Sequence, residues 1–125
     1  MSNPYIPQWF EIPAADLSRA MSFYSVTLSV PLEAREFAGN QIAVFPREQP
    51  GEPSGCLIQG EGHSPSPDGI TIYFASRPDL AIPLQRVEGA GGQVLVPKTP
   101  IGPEMGFFAL FEDTEGNHVG LFSPE

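Results

Sequence analysis

The strongest constraint on this chain is that its pattern is written twice. "QWFEIPAADLSRAMSFY" (8–24) reads as a short apolar strand running into an amphipathic helix. "ITIYFA" (70–75) followed by Asp79 and the apolar series Leu80, Leu84 and Val87 restates that beginning in the second half. Setting Asp16-Leu17 on Asp79-Leu80 superposes the two starts, and three strand-like runs follow each. A unit of this kind buries its helix against one face of a small sheet, which leaves the other face to curl around a cavity.

The local signals support that reading. Asp16 is a good helix N-cap, because its carboxylate can accept from an unpaired first-turn N–H. Leu17, Ala20, Met21, Tyr24 and Leu28 then recur at helical spacing, and Pro31 closes the helix. "LEAREF" (32–37), "QIAVFP" (41–46) and "GCLIQG" (55–60) read as strands, with the Gly-Asn pair at 39–40 as a hairpin signal. "EGHSPSPDG" (61–69) reads as a linker. In the second half Asp79 can cap a helix, which Pro83 weakens unless it falls in the first turn, and "GAGG" (89–92) ends it. That glycine run follows a helix instead of opening one, so it is not a phosphate loop. "QVLV" (93–96), "GFFALFE" (106–112) and "HVGLFS" (118–123) complete the second set of strands, with "DTEGN" (113–117) as a turn. The expected organisation is one domain over 6–123, made of halves at about 8–60 and 70–123.

Charge and cysteine content narrow the function. Six basic residues stand against fifteen acidic ones, a formal charge of −9 that repels phosphate backbones and anionic membranes. The basic residues are scattered, so no nucleic-acid or membrane partner is expected. A lone Cys56 cannot form an intrachain disulfide and fits a reducing cytoplasm. The first residues lack the basic and apolar regions of a signal peptide, and no apolar run approaches the ~18 residues of a membrane span.

"WFEIPAADLSRAMSFY", "EGAGGQVLVPKTPIG", "GFFALFEDTEGNHVGLFSP" and the doubled βαβββ order resemble the vicinal oxygen chelate superfamily. This is the glyoxalase I, bleomycin-resistance and extradiol-dioxygenase group, and the resemblance covers about residues 6–123. It implies an α+β fold of two βαβββ repeats, with curved mixed sheets around a shared cavity. It also implies a homodimer, since such chains often complete their barrels across a two-fold axis. The family's chemistry normally rests on a divalent metal that grips vicinal oxygens of the substrate. The positions where relatives carry ligands fall here on Trp9, on Thr71 (or Ile72), near Ile58 or Leu57, and on Gly120. None offers a good metal donor, so the expectation is a chain with no metal and no cofactor.

Glu11 shares a strand face with Trp9 and is the candidate general base, expected to be partly desolvated in the cavity. Thr71 and Tyr73 occupy matching positions in the second half, so Tyr73 is expected to face Glu11 across the cavity. Trp9, Phe108 and Phe122 supply aromatic surface for a flat or apolar ligand. His118 shares a strand face with Gly120 and is a further candidate contact, whereas His63 sits in a solvated loop. Cys56 reads as a buried structural thiol, and Lys98, the only lysine, as a solvated loop residue, the alternative being a cation for an anionic ligand at the cavity mouth. These residues fit a metal-independent small-molecule binding protein. The alternatives are a lyase, an isomerase or a metal-dependent glyoxalase- or dioxygenase-type enzyme using Glu11 as base or ligand, and a module whose dimer surface is its function.

Overall fold

The computed structural model describes residues 3–125. The chain runs β1 (Trp9–Pro13), α1 (Leu17–Leu28), β2 (Glu33–Phe37), β3 (Asn40–Val44), β4 (Ser54–Gln59), β5 (Tyr73–Ala75), α2 (Ala81–Leu84), β6 (Gln93–Pro100), β7 (Phe107–Glu112) and β8 (His118–Ser123). The strands form two four-stranded sheets of identical topology, β1-β4-β3-β2 and β5-β8-β7-β6. In each, the first and last strands of the half pair in parallel and the others are antiparallel. Both sheets are mixed, open and curved, as the doubled pattern implies. No helix among the described residues is long and apolar enough to cross a membrane.

α1 forms where the sequence signals place it. Asp16 is extended at φ −136° and its side chain accepts the Arg19 N–H at 3.1 Å. Ser29, in the left-handed region at φ 57°, ends the helix. Ala20, Phe23, Tyr24 and Thr27 make one buried face. That face serves both sheets: the Tyr24 ring lies 5.8 Å from Phe45 on the first side and 6.3 Å from Phe111 on the second. Phe23 stands 5.6 Å from Phe111. α1 is therefore wedged between the sheets, and Ile12, Leu57, Leu80, Val87, Val119 and Leu121 complete one cluster around it. Burying each large side chain there contributes roughly 1.5–3 kcal/mol.

Four local expectations need correction. The first hairpin turns at Ala38-Gly39, both at positive φ (51° and 82°), and Asn40 already belongs to β3. A two-residue turn matching the twist of its strands requires that geometry, and Gly39 supplies half of it without strain. β5 is only Tyr73–Ala75, and Ile70 ahead of it is 95% exposed. α2 is a single turn from a backbone cap at Leu80, after which irregular turns carry the chain to Gly92. Asp79 still receives the Ala81 N–H at 2.8 Å, but its carboxylate is shared with Lys98 at 2.9 Å. Lys98 is in turn a strand residue, because β6 extends to Pro100 through two bulges. β6 is an edge strand, where prolines cost no ladder hydrogen bond.

The turn between β7 and β8 locks α1 in place. The Tyr24 hydroxyl donates to Asp113 Oδ2 at 2.7 Å in the buried interior, and Asn117 Nδ2 donates to the same oxygen at 3.0 Å and to the Pro13 carbonyl at 2.8 Å. Glu115 Oε1 accepts the Ala15 and Asp16 N–H groups, each at 2.9 Å, just ahead of α1. Arg19 grips the same carboxylate with two nitrogens at 2.8 and 2.9 Å.

Candidate functional site

Because both sheets turn their helix-side faces into one core, their opposite faces look outward. Side chains alternate along a strand, so Phe10 and Ile12 enter the core while Trp9 and Glu11 point away. In the second sheet Phe74, Ala109, Phe111 and Leu121 turn inward, and Tyr73, Phe108 and Phe122 lie on the other side.

The sequence-derived candidates fall into two groups. Trp9, Glu11 and His118 line a recess of about 490 Å³ beside β1, with Ile70 and Asn117 on its far wall. Trp9 and Glu11 also border a hollow of about 730 Å³ over the first sheet, with Arg35, Phe37, Val44 and Cys56. Tyr73 and Phe108 line a separate hollow of about 600 Å³ with Ala75, Pro100, Ile101 and Phe122. Tyr73 therefore does not face Glu11 within one chain, because the sheets meet through their other faces. Thr71 is exposed ahead of β5 and borders none of these hollows.

Glu11 is exposed and opposes Cys56 across the β1–β4 ladder. The single chain does not desolvate its carboxylate, contrary to expectation, because no second layer covers this face. Burial first, and then the Glu11 carboxylate, push the Cys56 thiol up to about 11. Cys56 is thus a protonated, inert thiol at neutral pH. His118 Nε2 lies 3.2 Å from Glu112 Oε1 on the neighbouring strand, so its ring is held by β7. Lys98, half-buried, is engaged by Asp79 and lies 4.5 Å over the Phe107 ring. It does not stand free at a cavity mouth. His63 bridges back to Gly60 through its backbone in a loop.

A divalent ion does not fit the residues at the family's ligand positions. Trp9 and Gly120 have no donor side chain, Leu57 and Ile58 are aliphatic, Thr71 offers only a neutral hydroxyl on an exposed segment, and Ile72 packs on the core. Gly120 is moreover covered: it pairs with Tyr73 across β5–β8, and a Cβ there would collide with the Tyr73 ring. The space for a ligating side chain is taken by an aromatic ring. Among the described residues no group of three His, Cys, Asp or Glu side chains is arranged to hold a metal.

Sequence reasoning missed Glu115, whose side chain is fully buried, and the Arg77 and Arg86 pair beside the core. Glu115 lay inside the "DTEGN" turn, where its spacing to Asp113 and Asn117 was the available signal.

Comparison with known proteins places this geometry. Residues 6–121 match the Glyoxalase/Bleomycin resistance protein/Dioxygenase superfamily. A glyoxylase-like domain-containing protein from Didymella fabae is 30% identical over 111 residues, covering 86% of this chain and 84% of that protein. An antibiotic-binding protein from Streptomyces superposes with a TM-score of 0.65 at 20% identity, covering 100% of both chains. Glyoxalase I from Zea mays superposes with a TM-score of 0.67 at 18% identity, over 94% of this chain but only 45% of that one. The doubled βαβββ fold, the outward faces and the family match agree, and the chain belongs to the glyoxalase/bleomycin resistance protein/dioxygenase superfamily.

Proposed function

We propose that this chain is a metal-independent small-molecule binding protein that holds a flat, largely apolar ligand on the outward face of its second sheet. The observation that carries the reading is the Tyr73 ring laid over Gly120 beside Phe108, their centroids 6.5 Å apart. A ligand-coordinating corner is thereby replaced by an aromatic floor, and stacking on such a floor suits planar ligands. The antibiotic-binding relative from Streptomyces supports the same use of the fold. The exposed apolar residues Trp9, Phe37, Tyr73, Ile101 and Met105 lie on or beside the outward faces. A second copy of the chain would cover them, and a homodimer would close each open hollow into a cavity. The buried, unpaired Cys56 fits a reducing cytoplasm.

The alternative is a lyase or isomerase with Glu11 as base. It is favoured by one observation, that Glu11 and His118 border the same recess. The test is calorimetric titration with a neutral planar probe, 9-anthracenemethanol, against wild type, Tyr73→Ala, Phe108→Ala and Glu11→Ala. Loss of at least about tenfold in affinity in the two aromatic variants, with Glu11→Ala unaffected, is the expected result. No binding by wild type, or binding indifferent to Tyr73 and Phe108, overturns the reading.

A further inference from the structure

A crevice of about 380 Å³ opens where the C-terminal end of α1, α2 and the two sheets converge. It lies within the size range of small-ligand sites, about 300–1,000 Å³. Trp9, Glu11, Tyr73 and Phe108 do not line it. Its floor is built from Phe10, Phe45 and Phe74, whose ring centroids stand 5.4, 5.5 and 5.5 Å apart. Prolines 46, 53 and 83 form part of its walls, so little side-chain freedom is lost when something binds there.

The charge of this crevice departs from that of the rest of the chain. Fifteen acidic residues outnumber six basic ones overall, yet the lining contains Arg77 and Arg86 and no Asp or Glu. Among the described residues Arg19, Arg35 and Lys98 each form a salt bridge to a carboxylate and Arg47 donates to the Glu52 carbonyl at 3.1 Å, whereas Arg77 and Arg86 form no salt bridge. Among the described residues Arg86 makes one side-chain hydrogen bond, from Nη1 to the Thr27 carbonyl at 3.4 Å, which leaves most of its donors free. The other polar side chains are already committed, since the Ser54 hydroxyl donates to the Phe45 carbonyl at 2.9 Å and the Ser76 hydroxyl to the Phe74 carbonyl at 3.1 Å. Two unpaired guanidinium groups at the edge of an aromatic floor match one ligand chemistry: an apolar body with one carboxylate.

We infer that this crevice is a second binding site, distinct from the outward faces, which takes a small organic carboxylate with an aromatic or short apolar body. Phe10, Phe45 and Phe74 receive the body, and Arg77 and Arg86 hold the carboxylate. The site does not depend on the stacking role given to Tyr73.

The experiment is calorimetric titration of the full chain with 1-naphthoate and with its neutral counterpart 1-naphthamide, at low salt. Naphthoate is expected to bind at least about tenfold more tightly than the amide, and to weaken as salt is raised. Arg77→Ala, at an exposed position whose side chain has no hydrogen-bond or salt-bridge partner among the described residues, is expected to lose several-fold in naphthoate affinity at unchanged melting temperature. The Arg77→Ala/Arg86→Ala pair is expected to lose at least about tenfold, with Arg86→Lys recovering part of it. Tyr73→Ala, which disables the outward face, is expected to leave naphthoate binding intact. The inference is overturned if wild type binds naphthoate no better than naphthamide, or if Arg77→Ala binds it unchanged. It is equally overturned if Tyr73→Ala abolishes the binding.

Discussion

Replacing Glu115 by Gln tests the reasoning about what holds α1 between the sheets. The Glu115 carboxylate is fully buried, and it accepts from Ala15 N and Asp16 N at 2.9 Å, from Arg19 at 2.8 and 2.9 Å, and from the Thr114 hydroxyl at 2.8 Å. Gln keeps an oxygen for the backbone donors but turns an NH₂ toward the guanidinium. Removing one partner of a fully buried ion pair costs about 3–5 kcal/mol. Arg19 is 51% exposed, and water recovers part of its charge, so about 2–3 kcal/mol is the expected loss. For a chain of this size that lowers the melting temperature by roughly 6–12 °C. Burial alone would push the Glu115 carboxyl up, but the bonds from Arg19, Asp16 and Thr114 outweigh it and hold it below its ordinary value of 4.5. A depressed folded-state value means the stabilisation is present above the unfolded value and is lost as pH falls through the folded one. Urea denaturation followed by circular dichroism at pH 7 and at stepwise lower pH should therefore show the wild-type and Glu115→Gln stabilities converging in acid. A loss below about 1 kcal/mol at pH 7, or a gap that stays constant down to pH 3, would refute the argument.

Tyr24→Phe removes the 2.7 Å bond to buried Asp113 and should cost about 1–3 kcal/mol by the same denaturation assay, with no change in ligand binding. Burial first, and then Asp113, raise the Tyr24 phenol well above its ordinary value, so its phenolate absorbance should appear only as alkali unfolds the chain. Cys56 should react with a disulfide reagent at pH 8 only after denaturant is added, since its thiol is buried and titrates near 11. Gly120→Ala should either displace the Tyr73 ring or destabilise β5–β8, and near-ultraviolet circular dichroism of the tyrosine band would distinguish it from a silent change.

The elements that were legible in the sequence are those decided locally. α1 from Leu17 to Leu28 follows from its cap and its apolar spacing, and β8 from His118 to Ser123 follows from a turn and an apolar run. The doubled topology follows from aligning Asp16 with Asp79, although the two residues do different work. Asp16 caps a three-turn helix, whereas Asp79 has Lys98 as a competing partner and the helix after it is one turn long. Ala38 at positive φ defeats turn assignment by residue type, because the hairpin geometry overrides alanine's own preference. The candidate site was legible residue by residue but not as an assembly. Periodicity places Glu11 and Tyr73 on equivalent faces of equivalent strands. It carries no information on which faces the two sheets bring together, and α1 decides that through Phe23, Tyr24 and the Asp113–Asn117 turn. The arginine crevice was invisible for the same reason, since Phe10 and Phe45 lie far along the chain from Arg77 and Arg86.

The bond from Ala15 to Glu115 spans 100 residues, and it bears on how this chain is born. At roughly 5–20 residues per second of synthesis, the ribosome needs about 5–20 seconds to travel from Ala15 to Glu115. From the time β4 is made until β7 and its turn follow, α1 has its first sheet but neither Phe111 nor the Glu115 carboxylate that receives the N–H groups just ahead of it. The nascent first half therefore presents Phe23 and Tyr24 to solvent, and its apolar faces depend on rescue by a segment not yet made. A codon change that slows translation between the halves lengthens that exposure without altering a single amino acid.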